Sequence, residues 1–407
     1  MKKIAVISMG VKLDNEKGYS RFRYIGDFLS DAGYQVDLIT TTFQHWEKAQ
    51  RNLDEIKKEN YKFNLKFIYE PGYKKNIDFR RIRSHRIAAK NLRQLLEKEG
   101  DYDLIYCEIP PNDVALAAAE YAKAKDIPFV PDVNDLWPEA MRMVLDMPVI
   151  SNILFYPLLR DAEKVYSLVA GIIGTSDEYR DRPLKNQKLD VPKKTVYVGN
   201  EIAEFDAGVA EYGPQISKDE EEFWVSYAGT IGTSYDIKTM VLAGKELLNR
   251  GKNQIKIKIL GGGPLKEELE TLAKEQKCIN VEFVGYAPYP KMAAYLAKSD
   301  ILVNSFVKKA PQSIVTKIGD YLAAGKPMIN TCMSPEFRNK VEHDGFGINI
   351  MPEDVNVLAD AIEKLYEDEA GRTEMGKRAR TIAEEQFDRP QSYKKIIELI
   401  EELTGNE

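Results

Sequence analysis

The chain has 407 residues, 43% of them hydrophobic and 30% charged, with a net charge of −6 at pH 7. That length accommodates two domains, each with its own core, and the charge excludes a generally basic nucleic-acid binder while leaving room for a local basic patch. Cys107, Cys278 and Cys332 are widely spaced and odd in number, which argues against a disulfide framework or a zinc site and favours a reducing compartment.

In chain order, Met1-Lys2-Lys3-Ile4-Ala5-Val6-Ile7 reads as the start of a buried strand. Its apolar run is too short for a signal peptide, Lys12 and Asp14 follow, and no small-residue cleavage site appears. No run of roughly 18 or more apolar residues exists anywhere, so no spanning helix is expected. Short apolar runs predict strands at Ile4–Met9, Gln35–Thr40, Leu65–Tyr69, Leu104–Cys107, Phe129–Val133 and Gly171–Thr175. Helices lie between them, for example Tyr19–Ala32, Ile82–Lys98 and Asp113–Lys125. Apolar strands alternating with helices imply a parallel, doubly wound sheet. Pro192 to Asn200 leads out of this region. Ala203–Glu222 is polar, holds Gly208, Gly213 and Pro214, shows no clear period, and reads as an interdomain linker. The alternation then restarts, with strands at Phe223–Ala228, Ile255–Leu260, Val281–Val284 and Ile301–Asn304 and helices at Lys238–Leu248, Pro264–Glu275 and Pro290–Lys298. A last amphipathic helix is expected over Phe387–Leu403. The fold class is therefore α/β, with two Rossmann-like domains (1–202 and 223–386) and ligands held in a cleft outside the carboxyl ends of both sheets.

Several segments carry chemistry. Gln312-Ser313-Ile314-Val315-Thr316-Lys317-Ile318-Gly319-Asp320-Tyr321-Leu322-Ala323-Ala324-Gly325-Lys326-Pro327 predicts a helix that starts at Ser313 and is closed by Gly325. Free N–H groups of Ser313 and Ile314, with Lys317 close by, suit a phosphate, although a well-capped helix start needs no ligand. Tyr227-Ala228-Gly229-Thr230-Ile231-Gly232-Thr233-Ser234 runs from a strand into a glycine turn whose N–H groups suit a pyrophosphate, or is an ordinary strand-to-helix loop. Leu260-Gly261-Gly262-Gly263-Pro264 and Val284-Gly285-Tyr286 end the next two strands; for the former, proline and glycine at a helix start need no ligand either. In the first half, Pro131-Asp132-Val133-Asn134-Asp135-Leu136-Trp137-Pro138-Glu139 follows a strand. Asp135 first, and Glu139 second, are candidates to orient or deprotonate an acceptor hydroxyl; the alternative is that Asp135 caps the next turn and Trp137 is core. Glu108, in Tyr106-Cys107-Glu108-Ile109-Pro110-Pro111-Asn112, also ends a strand and is a candidate to line the acceptor side. From Lys74 to Arg93, eight Lys and Arg stand against Asp78, a net of +7, with Tyr73 and Phe79 interleaved. Arg80, Arg81 and Arg83 then belong either to a surface that rests on anionic lipid or to a solvated helix face. His45, His85 and His343 lack metal-ligand spacing. The loop from Met9-Gly10-Val11 to Gly18-Tyr19-Ser20-Arg21 carries no nicotinamide fingerprint.

Taken together, these residues resemble the family 4 retaining glycosyltransferases. The bacterial surface-polysaccharide enzymes among them carry "P-S-K-x-x-E-Y-L-A-A-G-K-P" within the segment where Gln312 to Pro327 stand, and "D-x-R-D-L-W-P-E" where Asp132 to Glu139 stand. The likeness runs through nearly the whole chain and is strongest at 131–139, 197–200 (Tyr197-Val198-Gly199-Asn200), 229–236 and 312–327. It implies a GT-B fold whose last helix, 387–407, crosses back onto the first domain. It also implies a nucleotide-sugar donor on the second domain, held through Gly229, Thr230, Gly232, Gly262, Tyr286, Ser313, Ile314, Lys317 and Asp320. The acceptor belongs on the first domain; anomeric configuration is retained, and no cofactor or essential bound metal takes part. Gln312 and Asp320 stand where the family's signature has glutamates, the first contacting the sugar ring and the second the ribose hydroxyls. Asp320 keeps a carboxylate, whereas Gln312 cannot bear charge. Thr230 and Tyr235 replace the usual arginine and lysine, which leaves Lys317, or Lys308 with Lys309, to supply positive charge. Asp101-Tyr102-Asp103 fits the metal-binding D-x-D of a different glycosyltransferase fold, but it precedes a strand, at the wrong end for ligands.

The expected function is transfer of a sugar from a nucleotide sugar, UDP-linked first, to a saccharide or polyprenyl-pyrophosphate-linked acceptor in capsule, O-antigen or exopolysaccharide synthesis. The expected location is cytoplasmic, at the inner face of the membrane. A sugar-nucleotide 2-epimerase or phosphorylase on the same fold, and a catalytically silent nucleotide-sugar-binding subunit, are the alternatives.

Overall fold

The computed structural model describes residues 1–13, 16, 19–75, 78–139, 148–310 and 314–405. The chain divides into two compact units, Met1–Val196 with Tyr393–Glu407, and Tyr197–Ser392.

The first unit is built on seven parallel strands. In sequence these are β1 (Lys3–Ile7), β2 (Gln35–Thr41), β5 (Asn64–Ile68), β6 (Leu104–Ile109), β7 (Phe129–Val133), β8 (Ile172–Gly174) and β9 (Lys193–Thr195), arranged β5-β2-β1-β6-β7-β8-β9. A short antiparallel pair, β3 (Phe43–Gln44) with β4 (Ala49–Gln50), lies apart from the sheet. Central strands such as Ile4-Ala5-Val6-Ile7 are buried throughout, because helices cover both faces of a parallel sheet. Helices Phe79–Glu99 and Asn112–Lys125 pack one face with Leu92, Leu96, Val114 and Ala118. The other face takes Phe22, Ile25 and Leu29 of helix Arg21–Asp31 with Ile396, Leu399 and Ile400 of helix Lys394–Thr404. The C-terminal element that joins this unit thus starts at Tyr393 and not at Phe387.

A buried ion pair ties that element down. Arg21 Nε lies 2.9 Å from Asp132 Oδ2, Tyr106 OH donates to the same oxygen at 2.5 Å, and Arg21 Nη1 donates to Tyr393 OH at 3.0 Å.

The second unit repeats the pattern with β10 (Phe223–Ala228), β11 (Ile255–Leu260), β12 (Val281–Gly285), β13 (Ile301–Asn304), β14 (Met328–Asn330) and β15 (Gly347–Asn349), arranged β12-β11-β10-β13-β14-β15 and all parallel. Helices Ile237–Asn249, Lys266–Glu275 and Val355–Glu367 cover one face, and Ile202–Tyr212, Tyr289–Lys298, Lys317–Ala323 and Glu369–Ile382 the other. The expected linker is corrected here. Ile202–Tyr212 is a helix that buries Ile202, Phe205 and Gly208, with Val209 packed on the same core. Ile202, Phe205, Val209 and Tyr212 share one helical face. Gly208 obscured that period, and it lets the helix press against Pro290, whose Cα would lie 2.6 Å from an added Cβ.

Among the described residues no helix is long and apolar enough to cross a membrane.

Removing one partner of a buried ion pair leaves an uncompensated charge, which costs about 3–5 kcal/mol. Asp132→Ala is therefore expected to lower stability by that amount in urea unfolding. Adding Arg21→Met to it is expected to recover most of the loss.

Candidate active site

In each sheet the winding reverses beside its first strand, between β1 and β6 in one unit and between β10 and β13 in the other. Connections from those neighbouring strands leave toward opposite faces, which opens a crevice at their carboxyl ends where ligands bind in open α/β sheets.

In the second unit, the loops after β10 and β11 are laid against each other through their backbones. Gly229 N donates to Leu260 O at 3.0 Å, and Ile231 N to Gly262 O at 2.8 Å. A side chain on Gly261 would put Cβ 1.9 Å from Gly229 O, and one on Gly263 would put it 2.3 Å from Ile231 O, so both glycines are required by this approach. The contact consumes only some of the donors. The amides of Thr230, Gly232, Thr233, Gly262 and Gly263 donate to no group among the described residues. Gly262 and Thr230 are exposed, and a Cβ on Gly262 would meet nothing within 4 Å. Unpaired backbone N–H groups of glycine turns can bind an anion.

The donor helix differs from expectation. It runs Lys317–Ala323, with Thr316 as an N-cap that makes no side-chain bond. Ile314 lies in the bend before it and packs on the core, while Gln312 and Ser313 fall outside the described residues, as does Gly18 in the first unit. Thr316 already has helical backbone angles, and Ile318 N closes a three-residue turn onto Val315 O at 3.0 Å. The amide of Ile314 is therefore not the first of this helix.

Lys317 is also placed differently. Its ammonium lies among Tyr227, Tyr235, Phe306 and Tyr321, 4.3, 4.4, 5.0 and 5.8 Å from their ring centroids. Nζ is buried and finds no hydrogen-bond partner among the described residues. Burial pushes its pKa down to about 7, and the ring faces offset part of that penalty by attracting the charge. The box braces the loop above it. Tyr227 OH donates to Thr230 O at 2.8 Å, and Tyr321 OH accepts from Ala228 N at 2.8 Å. Lys308 and Lys309 are exposed just beyond β13.

Asp320 accepts from Tyr289 OH at 2.9 Å and from Asn200 Nδ2 at 3.1 Å, both at Oδ1. Burial raises its pKa to about 6 against those donors and the charge of Arg389. Oδ2 takes no hydrogen bond among the described residues. Asn200 N in turn donates to Phe387 O at 3.0 Å, and Arg389 Nη2 to Gly199 O at 2.7 Å. This tether of 197–200 to 387–389 was not read from the sequence, although the match at Tyr197-Val198-Gly199-Asn200 was its signal. Tyr286, next to Gly285, is 84% exposed, open for stacking.

In the first unit, Asp135 and Glu139 are engaged locally. Asp135 Oδ1 accepts from Leu136 N at 2.8 Å and Oδ2 from Trp137 Nε1 at 3.1 Å. Burial raises its pKa, countered by those donors and by Arg81. Glu139 accepts from Arg182 Nε at 2.7 Å. Glu108 sits at the winding reversal itself, its Oε2 accepting from Ser8 Oγ at 2.6 Å, Met9 N at 3.0 Å and Gly10 N at 3.2 Å. Arg80 and Arg83 are exposed beside Phe79, which is 76% exposed. Arg81 instead folds inward, 4.4 Å from the centroid of Trp137 and 5.3 Å from that of Tyr73. Asp103 Oδ2 accepts from Lys3 N at 2.6 Å, which occupies that member of the D-x-D at the amino end of the sheet.

Residues 210–382 match the family model of glycosyl transferases group 1. Solved structures share the fold over the whole chain. Sucrose-phosphate synthase from Thermosynechococcus elongatus is 19% identical, with a TM-score of 0.70 over 99% of each chain. HepE from Anabaena in complex with UDP is 16% identical, with a TM-score of 0.70 over 99% of this chain and 100% of that one. WaaG, a glycosyltransferase involved in lipopolysaccharide biosynthesis, is 13% identical, with a TM-score of 0.66 over 99% and 100%. These are GT-B structures, and the two doubly wound sheets here are of that kind. No curated protein matches the chain in sequence.

Lys317 has a folded pKa of about 7 against an ordinary 10.5. Between those values the unfolded chain binds more protons, so this group makes stability rise with pH there and contributes no slope below pH 7. Lys317→Met is therefore expected to raise the melting temperature at pH 7, with the gain shrinking as pH approaches 10.

Proposed function

We propose, from the premise that the second unit belongs to the group 1 glycosyl transferases, that this protein transfers a sugar from a UDP-sugar to a hydroxyl of a saccharide or lipid-linked saccharide, with retention, in bacterial surface-polysaccharide synthesis. The observation that carries the donor half is the row of unpaired amides at Thr230, Gly232, Thr233, Gly262 and Gly263, at the carboxyl end of the strand where the winding reverses. A diphosphate laid there receives backbone donors that need no reorganisation as charge builds on the leaving group. Exposed Lys308 and Lys309 add positive charge from the next loop. Asp320, with Oδ1 already anchored, offers Oδ2 to the ribose hydroxyls, and Tyr286 offers a ring face to the base. HepE, of the same fold, is described in complex with UDP, which supports a uridine nucleotide as the first donor to try.

For the acceptor, the first unit offers Glu108, and the exposed basic face at Arg80 and Arg83 beside Phe79 supports docking on an anionic membrane surface that presents a lipid-linked substrate. The local bonds of Asp135 and Glu139 favour a role in shaping that loop over proton transfer.

Gly262 has room for a side chain but none for a ligand beneath one. Gly262→Val is therefore expected to leave the ligand-free melting temperature unchanged and to weaken UDP binding at least tenfold in calorimetric titration. Unchanged UDP affinity would overturn the placement of the diphosphate.

A further inference from the structure

Glu108 is a half-buried carboxylate with no cationic partner among the described residues. Removing charge from water is costly unless the group is paired and fully hydrogen-bonded. Here only one oxygen is provided for. Oε2 takes three donors from the turn after β1, whereas Oε1 takes none among the described residues. What lies over Oε1 is Gly10, where an added Cβ would stand 3.2 Å from that oxygen. The backbone there is outside the left-handed region that favours glycine, so conformation does not demand glycine at position 10. A side chain there would stand against Oε1. The three donors hold the carboxylate in one orientation at the carboxyl ends of β1 and β6, the ligand-binding end of this sheet. Burial, with a contribution from Asp132, raises its pKa to about 7 against the pull of those donors.

We propose that Glu108 Oε1 is the anchoring point of a saccharide subsite in the first unit, accepting a hydrogen bond from a ring hydroxyl of the acceptor, with Gly10 as the residue that keeps it open. This rests on the glycosyltransferase reading for its identity as an acceptor site, but it concerns a surface of the first unit alone. Glu108 is here a positioning residue. It fixes a hydroxyl by an ionised acceptor that a sugar recognises better than any neutral group, because hydrogen bonds to a charged partner are roughly twice as strong.

The test is direct binding of methyl glycosides of glucose, galactose and N-acetylglucosamine to the full chain, without nucleotide, followed by saturation-transfer NMR from pH 5.5 to 8.5. At least one glycoside is expected to bind, more tightly above pH 7 than below it. Glu108→Gln, which turns an amide N–H₂ toward the sugar, is expected to weaken that binding at least tenfold and abolish its pH dependence. Gly10→Ala, which keeps the carboxylate, is expected to weaken it without moving the melting temperature. Gly262→Val is expected to bind the glycoside normally, so failure of the donor site is read separately from failure of this one. The proposal is overturned if no glycoside binds, or if both first-unit variants bind as the parent does and Glu108→Gln merely lowers the melting temperature.

Discussion

The second unit is organised by the approach of two glycine turns, Gly229–Gly232 and Gly261–Gly263, over the carboxyl ends of adjacent strands. The first turn donates to the second, through Gly229 N to Leu260 O and Ile231 N to Gly262 O, and what remains is a set of amides with no acceptor among the described residues, at Thr230, Thr233, Gly262 and Gly263 on exposed residues and at Gly232 on a buried one. An orphaned N–H that loses water without gaining a partner costs about 1–3 kcal/mol, so such a row persists only at a surface open to water or to a ligand. An anion can satisfy several such groups at once, which makes their lack of acceptors the basis of the functional reading.

The structure beneath braces the loop after β10. Tyr227 bonds the carbonyl of Thr230, Tyr321 clips the helix Lys317–Ala323 onto the end of β10, and the Lys317 ammonium fills the space between their rings. A buried ammonium with no hydrogen bond among the described residues is a destabilising choice for a core. Its place beside Tyr227, which bonds the Thr230 loop, brings positive potential near the proposed diphosphate site without contact. Beside it, the same helix presents Asp320, whose Oδ1 binds Tyr289 and Asn200. Gly319 admits the 199–200 backbone, since a Cβ there would lie 3.2 Å from the Gly199 carbonyl carbon. Asp320, assigned to the ribose, thus also holds Asn200, whose backbone in turn bonds Phe387.

Much of the fold was legible in the sequence because parallel strands buried on both faces announce themselves as short apolar runs: Phe223–Ala228, Ile255–Leu260, Ile301–Asn304 and Phe129–Val133 stand where they were expected. The helix at 202–212 was missed because Gly208 and three acidic residues, Glu204, Asp206 and Glu211, dilute its apolar face. The start of the donor helix was misplaced because Ser313 resembles a cap, whereas the N-cap is Thr316, which makes no side-chain bond and so leaves no local signal. Side-chain partnerships across long separations, such as Glu108 with Ser8 or Lys317 with Tyr227 and Phe306, carry no local pattern at all. Composition likewise cannot tell an exposed arginine such as Arg83 from Arg81, which folds onto Trp137.

The central claim is tested most directly by following backbone amide resonances of the full chain during a UDP titration. The account predicts large, saturable shifts at Thr230, Gly232, Thr233, Gly262 and Gly263, with matching protection from solvent exchange. Saturable UDP binding that leaves these amides unmoved and still exchanging freely would contradict it.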